Sequence, residues 1–309
     1  MKFEKLVVPD ENKMTKGQEQ QVQALAKEVK IYSDIPKSEE EIIKRIGNAN
    51  AILTSWIDIS KKVINSCPNL KYIGVIATGY SWIDIKAAKE KWIAVTNVPG
   101  YATESVTEMV FCQLLSLIRK SREADKFIRD TGKFERDQFL GEELAGKTIG
   151  IIGFGRIGSR VAEIAKAFGM NVIYNSRKKK NVPYEFFENL DKMIPKCDVI
   201  SIHSSSSDEF LNAERLTKLH NGAIVINFGV VGCVNEEALI KELQSGRLYA
   251  ILDHFVDHKI KKEFIESKNT ILSPEIGYYT KQALEKLVQT AIDNAKSFLE
   301  GNVKNRVNW

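Results

Sequence analysis

A short apolar strand runs into a glycine-rich turn near the middle of the chain, and this junction constrains the fold more than any other feature. The strand covers Thr148–Ile152, and the turn at 153–158 reads Gly-Phe-Gly-Arg-Ile-Gly. A helix with apolar residues at helical spacing follows, and then a second strand at Asn171–Tyr174. In such a unit the first glycine allows the tight bend, the second lets a pyrophosphate approach the backbone, and the third lets helix and strand pack closely. The start of the helix adds free N–H groups and the positive end of its dipole.

This strand–turn–helix–strand context predicts a dinucleotide-binding unit. A glycine turn without a ligand is the alternative, which the flanking elements disfavour. The residues predicted to surround the phosphates are Gly153, Gly155, Arg156, Ile157 and Gly158.

The strand after the glycine turn ends in Asn175-Ser176-Arg177-Lys178, where folds of this kind bind the ribose of the adenosine half. An acidic residue at this place binds the 2′-hydroxyl of NAD, and this segment has no carboxylate. Ser176 can donate a hydrogen bond, and Arg177 can make charge-assisted contacts to a phosphate. The sequence therefore favours NADP as the cofactor, with NAD as the second choice; a solvated basic turn is the alternative interpretation.

Short apolar strands alternate with amphipathic helices on both sides of this motif. Strands alternating with helices imply a parallel sheet with right-handed crossovers, so the predicted fold class is α/β. In the first hundred residues the predicted strands are Phe3–Val8, Ala51–Thr54 and Tyr72–Ala77, and the predicted helices are Lys16–Val29, Ser38–Gly47 and Ser60–Cys67.

The breaker cluster Asn-Val-Pro-Gly at 97–100 predicts a hinge between two domains. Beyond it, Thr103–Arg122 is predicted as one long helix, and a second series of strands and helices runs from Lys147 to about Pro274. The last helix, Lys281–Leu299, follows the last strand and is expected to pack back onto the first domain. The predicted domains are residues 1–99 with 283–309, and residues 100–282.

Charge and cysteine usage disfavour several classes of function. The net charge of the 309 residues is only +5 and the basic residues are spread along the chain, which argues against binding to nucleic acid. The four cysteines lie far apart without a CxxC pair, so we expect neither a disulfide framework nor a metal site. No apolar run is long enough to span a bilayer, and the charged start shows no signal peptide. We therefore expect a cytoplasmic protein that acts on a small molecule and has no membrane partner.

Several segments outside the glycine turn resemble a known family. They are Ala-Thr-Gly-Tyr at 77–80, Val-Thr-Asn-Val-Pro-Gly-Tyr at 95–101, Thr-Glu-Ser-Val-Thr-Glu at 103–108, Asn-Glu-Glu-Ala-Leu at 235–239 and the segment 272–280. Essentially the whole chain resembles the D-2-hydroxyacid dehydrogenases, in particular the glycerate dehydrogenase/hydroxypyruvate reductase group. The resemblance implies a Rossmann-type cofactor domain inserted into a flavodoxin-like substrate domain, and a homodimer joined through the cofactor domain. It also implies an NAD(P)-dependent oxidoreductase that transfers hydride to or from a C–OH/C=O centre.

The resemblance assigns binding roles to residues outside the glycine turn. It implies that the substrate's carboxylate is bound by backbone N–H groups of Thr78, Gly79 and Tyr80, since a glycine-containing turn after a strand can form an anion nest. An ordinary turn is the alternative. Further residues expected beside the cofactor are Val106, Ser204, Phe228, Gly229 and Asp253.

Three positions depart from the family's catalytic set of Arg, Glu and His. Val230 stands where the resemblance places the Arg, His258 where it places the Glu, and Glu275 where it places the His. Valine offers no hydrogen bond to a carboxylate or carbonyl, so ordinary 2-keto acids are expected to be poor substrates. The other two changes form an exchange, which predicts a Glu275–His258 pair of reversed polarity as the catalytic residues. The alternative is that each is a solvated loop side chain, and this applies most to His258.

An ionised Glu275 beside a protonated His258 is a base-capable site, which suits proton abstraction or a cationic or amine substrate better than 2-keto acid reduction. The leading prediction is therefore an oxidoreductase of this family that acts on a non-standard substrate. One alternative is a dinucleotide-binding pseudoenzyme or regulator, and another is a non-redox lyase or isomerase that uses Glu275 as base. His254 is expected only to flank the pocket.

Overall fold

The computed structural model describes residues 1–255 and 258–309 and divides them between two compact units. The first unit combines Met1–Tyr101 with Thr280–Trp309, and the second is Ala102–Tyr279. The sequence pattern predicted the changes of domain after residues 99 and 282; the chain changes unit after Tyr101 and after Tyr279.

The first unit is built on a sheet of five parallel strands in the order β2-β1-β3-β4-β5. This is the flavodoxin-like order, in which the chain reverses its direction of winding between the first and third strands. The strands are β1 (Phe3–Val8), β2 (Ala26–Ile31), β3 (Ala51–Thr54), β4 (Tyr72–Val75) and β5 (Ala94–Thr96), and the helices that connect them are α1 (Lys16–Leu25), α2 (Glu39–Ile46), α3 (Lys61–Ser66) and α4 (Ile85–Glu90).

The predicted helix at 16–29 was wrong in its last four residues. Thr15 starts α1 with a capping box that Gln18 completes, but the helix ends at Leu25 and β2 begins at once. β2 is an edge strand that pairs only with β1 among the described strands, and most of its residues are charged or partly exposed. Because an edge strand buries few side chains, its sequence lacks the apolar run that identified the central strands.

The second unit is built on a sheet of seven parallel strands in the order β12-β11-β10-β9-β6-β7-β8. The order reverses between β6 and β9, as in the Rossmann fold, where a dinucleotide binds at the carboxyl ends of the strands. The strands are β6 (Thr148–Ile152), β7 (Asn171–Asn175), β8 (Glu185–Phe186), β9 (Val199–Ile202), β10 (Ile224–Asn227), β11 (Tyr249–Leu252) and β12 (Thr270–Leu272), and the helices are α5 (Thr103–Arg119), α6 (Ser121–Thr131), α7 (Arg156–Ala167), α8 (Leu190–Met193), α9 (Ala213–Thr217), α10 (Glu236–Gln244) and α11 (Lys262–Glu266), with 3-10 turns at Asp137–Phe139 and Ile194–Lys196.

The long helix predicted at 103–122 is interrupted near its end. α5 ends at Arg119 because Lys120 adopts the left-handed conformation with a φ of 51°, and α6 then starts in a new direction. None of the residues of α6 is buried, so the sequence lacks the apolar face that would have marked it as a separate helix.

The last helix, α12 (Lys281–Leu299), belongs to the first unit, as the sequence predicted. It packs on α1, where the side chain of Gln18 donates to the carbonyl of Glu285 at 3.0 Å. The buried Asn294 donates to the carbonyl of Asn97 at 2.9 Å and so fixes the segment that follows β5. None of the helices in residues 1–255 and 258–309 has the length and apolar character that crossing a bilayer requires.

Candidate active site

The glycine turn of the second unit has three glycines that differ in their surroundings. Gly153 has a φ of +91°, which favours glycine, and its N–H donates to the carbonyl of Asn175 at 3.0 Å. A Cβ on Gly158 would lie 2.1 Å from the carbonyl oxygen of Gly153, so only glycine allows α7 to approach the strand this closely. A Cβ on Gly155 would meet nothing within 4 Å, so the space before the helix is open. Within the described residues, no side chain caps α7, and its first N–H groups can receive an anion.

A cavity of about 880 Å³ extends from this turn along the carboxyl ends of β6, β7 and β9. Its size and the open helix start fit a dinucleotide. The predicted cofactor residues that line it are Gly153, Gly155, Asn175, Ser176, Arg177, Lys178 and Ser204. The predicted cofactor residues that do not line it are Val106, Arg156, Ile157, Gly158, Phe228, Gly229 and Asp253.

Sequence reasoning missed several lining residues, mainly on the loop after β9. That loop carries a run of serines at 204–207, and the cavity also includes Asp208 and Phe210. A polar loop directly after a parallel strand was the available signal, because ligands bind at the carboxyl ends of such strands.

Basic side chains dominate the end of the cavity that follows β7. Arg177, Lys178 and Lys180 line it, and Asp208 is the acidic residue among the described lining residues. The hydroxyl of Ser176 donates to the carbonyl of Lys178 at 2.6 Å, which closes the turn. The side-chain amide of Asn175 donates to the carbonyl of Phe187 at 2.8 Å and so holds the turn against β8. This end of the cavity therefore has a net positive charge and a rigid turn.

Asp253, at the end of β11, is 1% exposed and binds the turn that follows β12. Its carboxylate accepts hydrogen bonds from the hydroxyl of Ser273 and from the N–H groups of Ile276 and Gly277, the latter two at 3.1 and 3.0 Å. The N–H of Glu275 donates to the carbonyl of Asp253 at 2.9 Å. These contacts fix the turn that carries Glu275.

Phe228, at the end of β10, supports the same turn from the other side. A Cβ on Gly277 would lie 2.9 Å from the Phe228 ring, so the turn packs directly on this aromatic side chain. The next residue, Gly229, donates to the side chain of Asn227 at 3.0 Å, and Val230 after it is exposed. Phe228 and Asp253 thus lie at the Glu275 turn, and the position of the expected Arg presents an apolar side chain.

The carboxylate of Glu275 lies between two histidines. Oε1 is 3.5 Å from Nε2 of His254, and Oε2 is 3.8 Å from Nδ1 of His258. The pKa of Glu275 lies below its usual value, first because of hydrogen bonding to the His254 imidazole; burial acts in the opposite direction, and the charges of the two histidines add to the lowering. The predicted Glu275–His258 pair is therefore within charge-coupling range, and His254 joins it as the nearer partner.

The loop predicted to bind the substrate's carboxylate belongs to the first unit. Thr78, Gly79 and Tyr80 are all exposed and follow the carboxyl end of β4. The hydroxyl of Thr78 donates to the carbonyl of Val98 at 2.7 Å, which anchors the start of the loop. A Cβ on Gly79 would lie 3.3 Å from the ring of Trp82, so the loop also packs against an aromatic side chain.

Comparisons with known proteins agree with this architecture. Residues 111–277 match the family described as D-isomer specific 2-hydroxyacid dehydrogenase, NAD binding domain. The chain is 33% identical over 284 residues to a hydroxypyruvate reductase of Blautia hydrogenotrophica, which covers 87% of this chain and 88% of that protein. It is 34% identical over 286 residues to a glyoxylate reductase of Aeropyrum pernix, which covers 87% of this chain and 85% of that protein.

Solved structures resemble the chain over nearly its whole length. One is an acyclic imino acid reductase in complex with NADPH and D-Arg, with a TM-score of 0.88, 30% identity, and coverage of 98% of this chain and 99% of that chain. Another is a D-lactate dehydrogenase from Aquifex aeolicus complexed with NAD and lactic acid, with a TM-score of 0.84, 26% identity, and coverage of 99% of both chains. Both contain a nicotinamide dinucleotide.

Proposed function

The chain belongs to the D-isomer specific 2-hydroxyacid dehydrogenase family, and from this premise we propose that it reduces a protonated imine of a 2-oxo acid with NADPH. Membership makes it an oxidoreductase with a nicotinamide dinucleotide-binding domain, which we assign to the unit Ala102–Tyr279. The observation that carries the proposal is the carboxylate of Glu275 between His254 and His258, at the position where the resemblance implies a histidine.

Reduction of a carbonyl makes two demands that these residues meet poorly. Hydride addition to C=O produces an alkoxide, which needs a proton donor, and a carboxyl group with a lowered pKa is ionised near neutral pH and cannot donate. The carbonyl or carboxylate also needs a cation, and Val230 supplies none. The loss of a hydrogen bond to a charged group costs about 1.5–3 kcal/mol, or roughly 10- to 150-fold in rate.

Reduction of a protonated imine needs neither a proton donor nor a cation at the reacting atom. Its nitrogen already carries the proton, so hydride addition forms the new C–H bond, moves the C=N π pair to nitrogen and yields an uncharged amine. When bound, the reduced nicotinamide supplies the hydride. Glu275 would stabilise the positive charge of the imine and keep it protonated, which is the form that accepts hydride. We assign the binding of the substrate's own carboxylate to the N–H groups of Thr78, Gly79 and Tyr80.

NADP(H) is the proposed cofactor. Arg177, Lys178 and Lys180 line the adenosine end of the cavity, and the segment at 175–178 has no carboxylate that would repel a 2′-phosphate. The similar imino acid reductase was solved with NADPH, whereas the similar D-lactate dehydrogenase was solved with NAD. We therefore base the choice of NADP(H) over NAD(H) on the charge of the turn that follows β7 in this chain.

Sequence identity to the similar proteins does not indicate which substrate this chain reduces. An imino acid reductase and two reductases named for 2-oxo acids all have about one-third identity or slightly less to this chain. The proposal depends on Val230 and Glu275, which change the chemistry that the site can perform.

The deciding assay follows NADPH oxidation with glyoxylate or pyruvate, with and without methylamine. We expect turnover that requires the amine, because only the mixture contains the protonated imine. Equal turnover without the amine would show that the protein is a 2-oxo acid reductase. NADPH binding without turnover in either mixture would favour the pseudoenzyme alternative.

A matched variant separates the substrate chemistry from the scaffold. Val230→Arg, His258→Glu and Glu275→His together restore the residues that the resemblance implies, and we expect this triple variant to reduce the 2-oxo acid without amine. Glu275→Gln in the otherwise unchanged chain should lose imine reduction and keep NADPH binding, since Glu275 is not among the residues that line the cofactor cavity.

We also propose a cytoplasmic homodimer joined through the cofactor unit. All four cysteines are free, which suits a reducing compartment. Phe134 and Leu140, which follow α6, are large apolar side chains left almost entirely exposed. Exposed apolar groups of this size favour contact with another protein surface.

A further inference from the structure

The residue after Asp253 is a histidine whose position is set by the fold. β11 and β12 are neighbouring parallel strands, so His254 and Glu275, which follow their carboxyl ends, lie side by side. Nε2 of His254 is 3.5 Å from Oε1 of Glu275. The backbone contact between Glu275 N and Asp253 O, at 2.9 Å, fixes the spacing of the two residues.

The two histidines around Glu275 differ in how firmly they are held. The side chain of His254 is 27% exposed, whereas that of His258 is 87% exposed and lies farther from the carboxylate, at 3.8 Å. An ion pair with so exposed a partner is screened by water and gains little free energy. His254 is therefore the partner that can orient the carboxylate.

The surroundings of Nδ1, the other ring nitrogen of His254, indicate which of the two nitrogens carries the proton. Nδ1 is buried and has no hydrogen-bond partner among the described residues. A buried N–H without an acceptor is costly, whereas an unprotonated nitrogen leaves no donor unsatisfied. The favoured tautomer therefore carries its proton on Nε2, which faces Glu275 and can donate to it.

We propose that His254 is the positioning residue of Glu275: its Nε2–H holds the carboxylate in one orientation and in the ionised state, and His258 contributes less. This rests on the proposed function in one respect, namely that Glu275 acts on the substrate. Among the described residues, the titratable groups that act on Glu275 are the two histidines. The carboxylate of Asp253 accepts hydrogen bonds from Ser273, Ile276 and Gly277 in the same turn.

The test compares three variants of the full-length protein. His254→Leu removes the donor, His254→Gln keeps a donor near the Nε2 position, and His258→Ala is the matched control on the other carboxylate oxygen. The first measurement is a pH titration of the Glu275 side-chain carboxyl by ¹³C NMR, without cofactor or substrate. We expect the carboxyl of His254→Leu to titrate at higher pH than that of the wild type, His254→Gln to fall between the two, and His258→Ala to move clearly less than His254→Leu.

The second measurement is the pH dependence of kcat/KM for NADPH-dependent imine reduction. If Glu275 must be ionised, the acidic limb should move to higher pH in His254→Leu and move clearly less in His258→Ala. An unchanged titration in His254→Leu, or a larger shift in His258→Ala, would overturn the proposal. If His254→Leu does not fold, the titrations of His254→Gln and His258→Ala still decide it, since the carboxyl should move more in the first than in the second.

The two proposals fail in different ways. A carboxyl that shifts as expected in a protein that reduces no imine would support the role of His254 and refute the proposed substrate. If the protein reduces the imine but the titration of the Glu275 carboxyl does not change when His254 is replaced, the proposed substrate is supported and the role of His254 is refuted.

Discussion

At the scale of single residues, a few exposed cations line the end of the cavity that follows β7, where we propose that the 2′-phosphate of NADPH binds. Arg177→Ala should weaken NADPH binding by about tenfold, since one charge-assisted contact contributes about 1.5 kcal/mol at its lower limit and about 1.4 kcal/mol is tenfold in affinity. NADH lacks the 2′-phosphate, so its affinity should change little. Isothermal titration calorimetry with both cofactors measures this.

Lys179→Ala is the matched control, because Lys179 belongs to the same basic run but is not among the residues that line the cavity. It should leave both affinities close to those of the wild type. Equal losses of NADPH and NADH affinity in Arg177→Ala would contradict the assignment of the 2′-phosphate to this residue.

Seven of the predicted cofactor residues line the cavity, whereas the contact between His254 and Glu275 was not among the predictions. The glycine turn and the segment at 175–178 are each continuous in sequence, so their chemistry can be interpreted without a structure. The contact between His254 and Glu275 depends on the pairing of β11 with β12. It also depends on Asp253, which binds the turn that follows β12. Side chains that meet only through strand pairing have no local pattern.

At the scale of elements, the turn after β12 is held on two sides. Gly277→Ala would place a Cβ 2.9 Å from the Phe228 ring and 3.0 Å from a carboxylate oxygen of Asp253. We expect the turn to shift, with a loss of about 1–3 kcal/mol in the free energy of unfolding and a large fall in kcat. NADPH affinity should be nearly unchanged, because neither Gly277 nor Phe228 is among the residues that line the cofactor cavity. Urea denaturation and NADPH titration measure the two effects.

Gly17→Ala serves as the control for adding a methyl group. A Cβ there would meet nothing within 4 Å, and the residue lies in α1, where alanine is a better helix former by up to about 1 kcal/mol. This variant should be as stable as the wild type or more so, with full activity. A Gly277→Ala protein with wild-type stability and kcat would show that the turn tolerates displacement.

Boundaries of elements were harder to predict than their existence, for two local reasons. β2 is a charged edge strand whose first residues continue the amphipathic pattern of α1, so the pattern predicts helix as far as Val29. α5 ends because Lys120 adopts the left-handed conformation. Non-glycine residues rarely adopt this conformation, and nothing in the local sequence predicts it. Strands β3 and β4 are buried along their whole length, and their apolar runs alone predict them.

At the scale of the whole molecule, the alternation of strands and helices in the sequence predicts two parallel sheets. It does not predict the proposed assembly of two copies. Each unit folds by burying the apolar faces of its own sheet, and the apolar pattern of the sequence encodes those faces. A proposed interface on an exposed loop lacks such a pattern, because its apolar residues are few and separated by charged or polar residues. Phe134 and Leu140 are therefore visible as interface candidates only once their exposure is known.

Phe134→Asp combined with Leu140→Asp should convert a dimer into a monomer. The chain has a mass of 34.9 kDa, so light scattering after size exclusion should give about twice that mass for the wild type and one chain mass for the double variant. Phe134 is 99% exposed, and a charge at its position cannot disturb the core of its own unit. Trp92→Asp is the control, because Trp92 is 88% exposed but belongs to the other unit, and this variant should stay dimeric. Dimerisation through this surface also predicts that the wild-type unfolding temperature rises with protein concentration, whereas that of the double variant does not. A monomeric wild type, or a double variant that stays dimeric, would place the interface elsewhere or remove it.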